Sequence, residues 1–342
     1  MLSTPHRSET SETTGEEEPS GPLPPPSTAC SRAVPATGPG LLIAAGSLCA
    51  ALAMALHTWI PNAAGNLGSL FQTFLPWAGL SIPVLLLAAA VCRSRLAALA
   101  VLAPVAVWGC LFGGTLTDKR SERPGGGNFT VVSHNVDEEN PDPVRTARAL
   151  AASGADLLAL EEMSPKATPA YERELAVGYP YRSDTLGVRL WSKHPLNGVE
   201  AVPIMPWTRA VRATVETPGG PVAVYAAHLA SVRLTPDAGF TTARRNDAAR
   251  KLAAAVRAEP LARVVVMGDF NGTAEDSALR PVTSRLASAQ HEAGAGFGFT
   301  WPAGFPVVRI DQILVKGMSV TSAWTLPATG SDHLPVAASL RL

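Results

Sequence analysis

Val264-Val265-Val266-Met267-Gly268-Asp269-Phe270-Asn271 is a β-branched apolar run that ends by presenting a carboxylate and a carboxamide two residues apart. A strand that stops in this way offers oxygen ligands to a metal or a phosphate. Alone, the same residues would equally make a β-turn closed by an Asx bond. Near the C-terminus, Gly330-Ser331-Asp332-His333-Leu334-Pro335 sets an acid beside a histidine just before the alternating strand Val336, Ala338, Leu340, Leu342.

Working outward from these two stretches, five more strand patterns precede or separate them. Phe129 to Val136 is a β-branched strand that reaches Asn135, with Asp137 following. Asp156-Leu157-Leu158-Ala159-Leu160 ends in Glu161-Glu162, and Val222 to Ala227 ends in His228. Arg309-Ile310-Asp311-Gln312 opens another apolar strand, while Gly187 to Leu196 reads as a strand followed by a Ser-Lys-His-Pro turn. In this order, from Phe129 to Leu342, the patterns resemble the endonuclease/exonuclease/phosphatase superfamily. Two departures stand out: Glu161 occupies the place of a usual glutamine, and Gln312 that of a usual tyrosine or histidine.

The resemblance implies an α/β fold, a four-layer sandwich of two packed mixed β-sheets flanked by helices. It also implies metal-dependent hydrolysis of phosphate esters. Glu162 is then the principal metal ligand with Asn135 beside it, and Asp332 and Asp137 are candidates to complete the site. Asp269 accepts the proton of the attacking water, Asn271 positions that water or a phosphate oxygen, and His333, oriented by Asp311, donates to the phosphoryl group. His228 makes a second phosphate contact or protonates the leaving oxygen. An oxygen-only ligand set suits Mg²⁺ or Mn²⁺.

Each residue also has a plainer reading. Asp137-Glu138-Glu139 makes a solvated acidic loop, Asp332 a turn before the last strand, and Asp311 a partner for Arg309. His134, His194 and His291 read as ordinary surface or turn residues. Between the motifs, Pro143 to Ser153 and Thr242 to Ala258 have helical periodicity, and Thr217-Pro218-Gly219-Gly220 joins two strands as a hairpin.

The first third of the chain is different. Residues 1–40 are rich in Pro, Ser, Thr and Glu with little to bury, which reads as a disordered cytoplasmic tail. Residues 41–60, 71–92 and 96–116 are three uncharged apolar runs, each long enough to cross about 30 Å of hydrocarbon as a helix. Residues 117–127 form a polar, glycine-ended linker whose eleven residues span at most roughly 40 Å. The catalytic domain, 128–342, therefore stays near the bilayer surface.

Arg32 before the first span and Arg93-Ser94-Arg95 between the second and third keep those segments in the cytoplasm. Three crossings then place the C-terminal domain outside the cell, and Lys119, Arg120 and Arg123 weaken that orientation without reversing it.

From Asp118 to Leu342 there are 24 Lys plus Arg against 23 Asp plus Glu, with no basic run. This argues against a nucleic-acid substrate, which calls for a basic stripe. All four cysteines, Cys30, Cys49, Cys92 and Cys110, precede the domain, which excludes a disulfide framework and a thiolate metal site there.

Three spans followed by a domain of this superfamily resemble the VanJ-type membrane proteins of teicoplanin-class resistance. That architecture implies action on a lipid-linked phosphate or pyrophosphate of cell-wall synthesis, with the lipid bilayer itself as partner. A phosphodiesterase acting on phospholipid or nucleic acid is the alternative within enzymes, and a non-catalytic receptor or binding module the alternative outside them. The sequence does not give the oligomeric state.

Overall fold

The structure, a computed structural model, describes residues 38–63, 65–120 and 127–342. The expected tail lies outside the described residues except for Gly38 to Gly40, which already belong to the first helix. The helical elements are α1 (Gly38–Ala55), α2 (Leu67–Thr73), α3 (Ser81–Val91), α4 (Arg95–Ala100) and α5 (Leu102–Phe112). Helix α1 packs on α3, α4 and α5, while Leu42, Leu52, Leu87, Val91 and Leu99 stay exposed. A bundle with apolar residues on its outer face fits a membrane anchor.

Gly38–Ala55 and Arg95–Thr115 are each long and apolar enough to cross a membrane. The middle segment differs from the straight span expected over 71–92. Leu67–Thr73 and Leu75–Val91 pass the same test only as a pair bent by 72°. Pro76 explains the bend, because it has no N–H to return to the carbonyl of Gln72. Thr273, in the C-terminal domain, offers its hydroxyl to that carbonyl instead, at 3.4 Å.

The C-terminal domain runs β1 (Phe129–Asn135), α6 (Pro143–Ala152), β2 (Leu157–Glu161), α7 (Thr168–Leu175), β3 (Tyr181–Arg182), β4 (Val188–Ser192), β5 (Leu196–Ala201), β6 (Ala210–Thr217) and β7 (Gly220–Ala227). It continues with β8 (Leu234–Thr235), β9 (Gly239–Phe240), α8 (Ala243–Ala258), β10 (Val264–Asp269), α9 (Arg280–Thr283), β11 (Ala287–Ser288), α10 (Ala289–Ala293), β12 (Asp311–Lys316), β13 (Ser319–Thr325) and β14 (Val336–Arg341). One mixed sheet has the order β13-β14-β1-β2-β4-β3, the other β11-β12-β10-β7-β6-β5.

Burial on both faces explains why the central strands are continuous apolar runs. Val131, Leu157, Val265 and Met267 meet between the sheets, together with Val211, Val224, Ile313 and Val336. Their neighbours face outward. Val132, Leu158 and Leu160 pack with Leu150 and Tyr171 of α6 and α7, and Val264 and Val266 pack with Leu252 of α8.

The pairing also brings the polar strand ends to one edge. β1 and β2 are parallel, with Asn135 opposite Glu161; β10 and β12 are antiparallel, with Asp269 opposite Asp311. Because β14 begins opposite the end of β1, His333 falls at the same edge.

The helical unit is fastened to the domain by more than the segment after α5. Ser69 Oγ donates to Asp276 Oδ1 at 3.1 Å, Gln72 Oε1 accepts from the Ser277 N–H at 2.7 Å, and Trp77 Nε1 donates to the Val307 carbonyl at 2.7 Å. Trp77 stacks on Phe299, and Phe112 meets Phe297 edge-on. Lys119 is fixed as well, its ammonium donating to the His291 carbonyl at 2.6 Å.

Candidate active site

Three of the residues expected in the site have left-handed backbones: Asp137 (φ 64°), Glu162 (φ 57°) and Asn271 (φ 48°). Asn and Asp tolerate this region, whereas Glu rarely enters it. The strain at Glu162 turns its carboxylate off the end of β2 and toward β7. Gly268 (φ 140°) is required for the approach of β10 to β7, since a Cβ there would lie 1.9 Å from the Ala227 carbonyl oxygen. That contact sits between His228 and Asp269 and sets their separation.

His333 and Asp311 form the deepest pair. His333 Nδ1 donates to Asp311 Oδ2 at 2.9 Å, which leaves Nε2 facing Asp269 Oδ2 and Asp332 Oδ1, each at 3.9 Å. Burial pulls the imidazole pKa down, but the charge and hydrogen bond of Asp311, with Asp269 and Asp332, outweigh it and raise the value to about 10. The ring is an imidazolium. Asp311 does not pair with Arg309, whose guanidinium instead donates to the Gly298 carbonyl.

Asp269 accepts the Asn271 N–H at 2.8 Å and the side-chain amides of Asn271 and Asn135 at 3.1 Å each. Burial raises its pKa to about 7, with the charge of His333 opposing and that of Asp311 adding. A carboxylate poised there can take a proton near neutrality.

His228 is fully buried. Its imidazole nitrogens touch Arg209 Nη1, and Nε2 lies 3.4 Å from Glu162 Oε1 and 3.5 Å from Asp269 Oδ2. Burial, then the charges of Arg209 and His333, hold its pKa well below the ordinary value. A guanidinium only donates, so the ring nitrogen that Arg209 meets is the one that accepts.

Glu162 is partly open, and burial raises its pKa against the charges of Arg209 and His333 and a hydrogen bond from Asn135. Glu161, wholly buried, accepts from Ser133 Oγ at 3.1 Å. Burial, with the charges of Asp311 and Asp269, raises its pKa well above the ordinary carboxylate value.

Asp269, Asp311 and His333 offer ligand atoms within 4.8 Å of one another. The Asp311 carboxylate, however, is taken up by the His333 ring. The more open oxygens belong to Glu162 and to Asp332, which accepts from Trp301 Nε1 at 3.0 Å. Carboxylates and a carboxamide offer oxygens alone, a donor set that fits a hard divalent cation. Asp137 stands apart: its N–H donates to Asn135 Oδ1, but its own carboxylate closes a turn on the Glu139 N–H.

Two residues depart from the sequence reading. His134 is not a surface histidine but a buried one, bonded to Thr329 at 2.9 Å and pushed down by burial to about 3. Arg209 had no place among the site residues. The hairpin register could have found it, because Ala210 pairs with Ala227 and one more step sets Arg209 opposite His228.

The profile of the Endonuclease/Exonuclease/phosphatase family matches residues 132–333. Among solved structures, the chain is similar to a D. rerio TDP2 humanized by 14 mutations, at TM-score 0.52 and 18% identity over 63% of this chain and 99% of that one. A functionally unknown conserved protein from Enterococcus faecalis matches at TM-score 0.51 and 14% identity, over 62% of this chain and 99% of that one. An endonuclease/exonuclease/phosphatase family protein from Bacteroides thetaiotaomicron gives TM-score 0.51 and 14% identity over 62% and 97%. Comparison with curated proteins gives no match.

Proposed function

Because the chain belongs to the endonuclease/exonuclease/phosphatase family, whose members are metal-dependent phosphoric ester hydrolases, we propose that it hydrolyses a phosphate or pyrophosphate group on a membrane lipid. The observation that supports a lipid substrate is the joint between anchor and site. Asp276, five residues after Asn271, is bonded to Ser69 of the helical unit. Arg245 carries the same joint onward, donating to Asp276 Oδ2 at 2.5 Å and to the Asn271 carbonyl at 3.1 Å. A site held this close to a bilayer meets membrane-borne esters at a high effective concentration.

In this reading Glu162, with Asn135 beside it and Asp332 at the rim, would hold a divalent cation, Mg²⁺ or Mn²⁺, which would supply charge neutralisation on the phosphoryl oxygens. Asp269 takes the proton of the attacking water, and the amides of Asn135 and Asn271 hold that carboxylate in place. The imidazolium of His333 donates Nε2–H to the phosphoryl group as its charge develops. His228, whose pKa burial and then the charge of Arg209 hold down, donates from Nε2 to a second phosphoryl oxygen or to the leaving oxygen. We place the domain on the outer membrane face, where a lipid-linked cell-wall intermediate is the substrate class and glycopeptide resistance a physiological role.

A substrate panel tests the proposal. The full-length protein in micelles, supplied with Mg²⁺, should cleave lipid phosphomonoesters or lipid diphosphates in preference to phospholipid diesters and DNA. Preference for DNA or for head-group diesters would replace this reading with that of a phosphodiesterase.

A further inference from the structure

The cleft that holds Glu162 shares part of its lining with a second cavity. Trp207 and Arg209 belong to both, forming the wall between Glu162 on one side and a cavity of about 570 Å³ on the other. Three guanidiniums line that second cavity, those of Arg209, Arg233 and Arg244, with the hydroxyl residues Ser231 and Thr241. Among the described residues no Asp or Glu lines it, and none of the three arginines has a carboxylate within 4.0 Å. In a chain with equal numbers of acidic and basic residues, this sets two arginines without a carboxylate within 4.0 Å, Arg233 and Arg244, on one hollow with Arg209, whose charge acts on Glu162. Arg233 and Arg244 reach this hollow from exposed positions, and Arg209, which shares it, also touches His228.

The helical unit contributes to the same cavity. Asn66 lines it, and the preceding carbonyl, of Gly65, accepts the Phe240 N–H at 2.9 Å. Gly65 and Gly239 approach so closely that a Cβ on Gly239 would lie 2.5 Å from the Gly65 Cα. Arg233 enters the β8–β9 hairpin that carries this contact, and Thr241 Oγ1 bonds both its N–H and its carbonyl, at 3.0 and 3.1 Å. The arginine loop is thereby pinned to the membrane anchor.

We propose that Arg209, Arg233 and Arg244 form a second phosphoryl-binding site, contiguous with the hydrolytic centre, for a phosphoryl group other than the one being cleaved. Planar guanidiniums match phosphoryl oxygens in paired hydrogen bonds, and a dianion relieves the repulsion among three like charges. The second group comes either from the substrate itself or from a neighbouring anionic lipid. This inference rests on the phosphoesterase reading for its purpose, but not for its binding test.

Binding of methylenediphosphonate, a non-hydrolysable diphosphate, to the full-length protein in micelles is the first measurement. The variant carrying both Arg233→Ala and Arg244→Ala should bind about a hundredfold more weakly, and the double lysine variant should recover part of that loss because it keeps the charge. Equal affinity in wild type and double alanine variant would overturn the site, whether or not any substrate is hydrolysed. Turnover then separates the two sources. A KM raised by the double alanine variant for decyl diphosphate but not for decyl monophosphate assigns the second group to the substrate. Loss of stimulation by phosphatidylglycerol in phosphatidylcholine vesicles assigns it to the bilayer. If the wild type cleaves neither decyl ester, the phosphoesterase reading falls and the binding result alone decides the site.

Discussion

His333 stands between two buried carboxylates, with Nδ1 2.9 Å from Asp311 Oδ2 and Nε2 3.9 Å from Asp269 Oδ2. Asp311 accepts from the ring and raises its pKa, and Asp269 faces its other nitrogen. If this is one functional unit, His333→Ala should lower kcat roughly a hundredfold or more, and Asp311→Asn should lose most of the same amount. The double variant should be only slightly worse than His333→Ala, because residues acting as a unit are strongly non-additive. Multiplicative losses, with unchanged thermal melts, would reduce Asp311 to a structural role.

The same pair has a pH signature. The folded pKa of His333, about 10, lies above the ordinary 6.5. Its stabilising contribution is therefore complete below about 6.5 and disappears as pH rises through about 10. Thermal melts of the wild type should fall across that window by more than those of His333→Ala. Parallel curves for the two proteins would contradict the charged pair.

Glu161 gives the opposite kind of test. Its pKa is raised well above the ordinary value, so any stability it contributes is present below about 4.5 and lost as pH rises through the folded value. Glu161→Gln keeps the shape and the bond from Ser133 without titrating. Hydrolysis should be retained, and melts at alkaline pH should improve over wild type. A large loss of activity would show that the ionised carboxylate takes part in the chemistry.

Much of this site was legible as sequence because the chemistry sits at the ends of apolar strands, where period and polarity change together. Asn135, Glu162, His228, Asp269, Asp311 and His333 all converge through that device. What the sequence hid are long-range relationships. Arg209 looks like the first residue of a strand until the hairpin register sets it against His228. His134 alternates with Ser133 and Asn135, but both faces of β1 are covered, so polarity did not report its burial. Hydropathy read 71–92 as one span. It could not show that Pro76 frees a carbonyl and that Thr273, some two hundred residues away, meets it.

The contact of Ser69 with Asp276 at the joint between helical unit and domain is backed by a buried charge pair within the domain, Arg245 with Asp276, both fully enclosed. Arg245→Met leaves Asp276 without its counter-charge and should destabilise the protein by about 3–5 kcal/mol, read by thermal melting. A double change of Arg245→Met with Asp276→Leu should recover part of the loss. Wild-type stability in the single variant would mean that the pair carries no weight at the joint.

Orientation is tested by fusions. A reporter active only outside the cytoplasm should work after Leu342 and stay silent after Arg95. The reverse pattern would put the catalytic domain inside the cell and remove outer-face substrates from consideration.

Phosphate release from a lipid phosphomonoester or lipid diphosphate by the full-length protein in vesicles, with Mg²⁺ and again with EDTA, tests the central claim most directly. Wild type should be active with Mg²⁺ and silent in EDTA, while Glu162→Gln, folded by its melt, should lose roughly a hundredfold or more. Undiminished release in EDTA or from Glu162→Gln would contradict the metal-dependent mechanism.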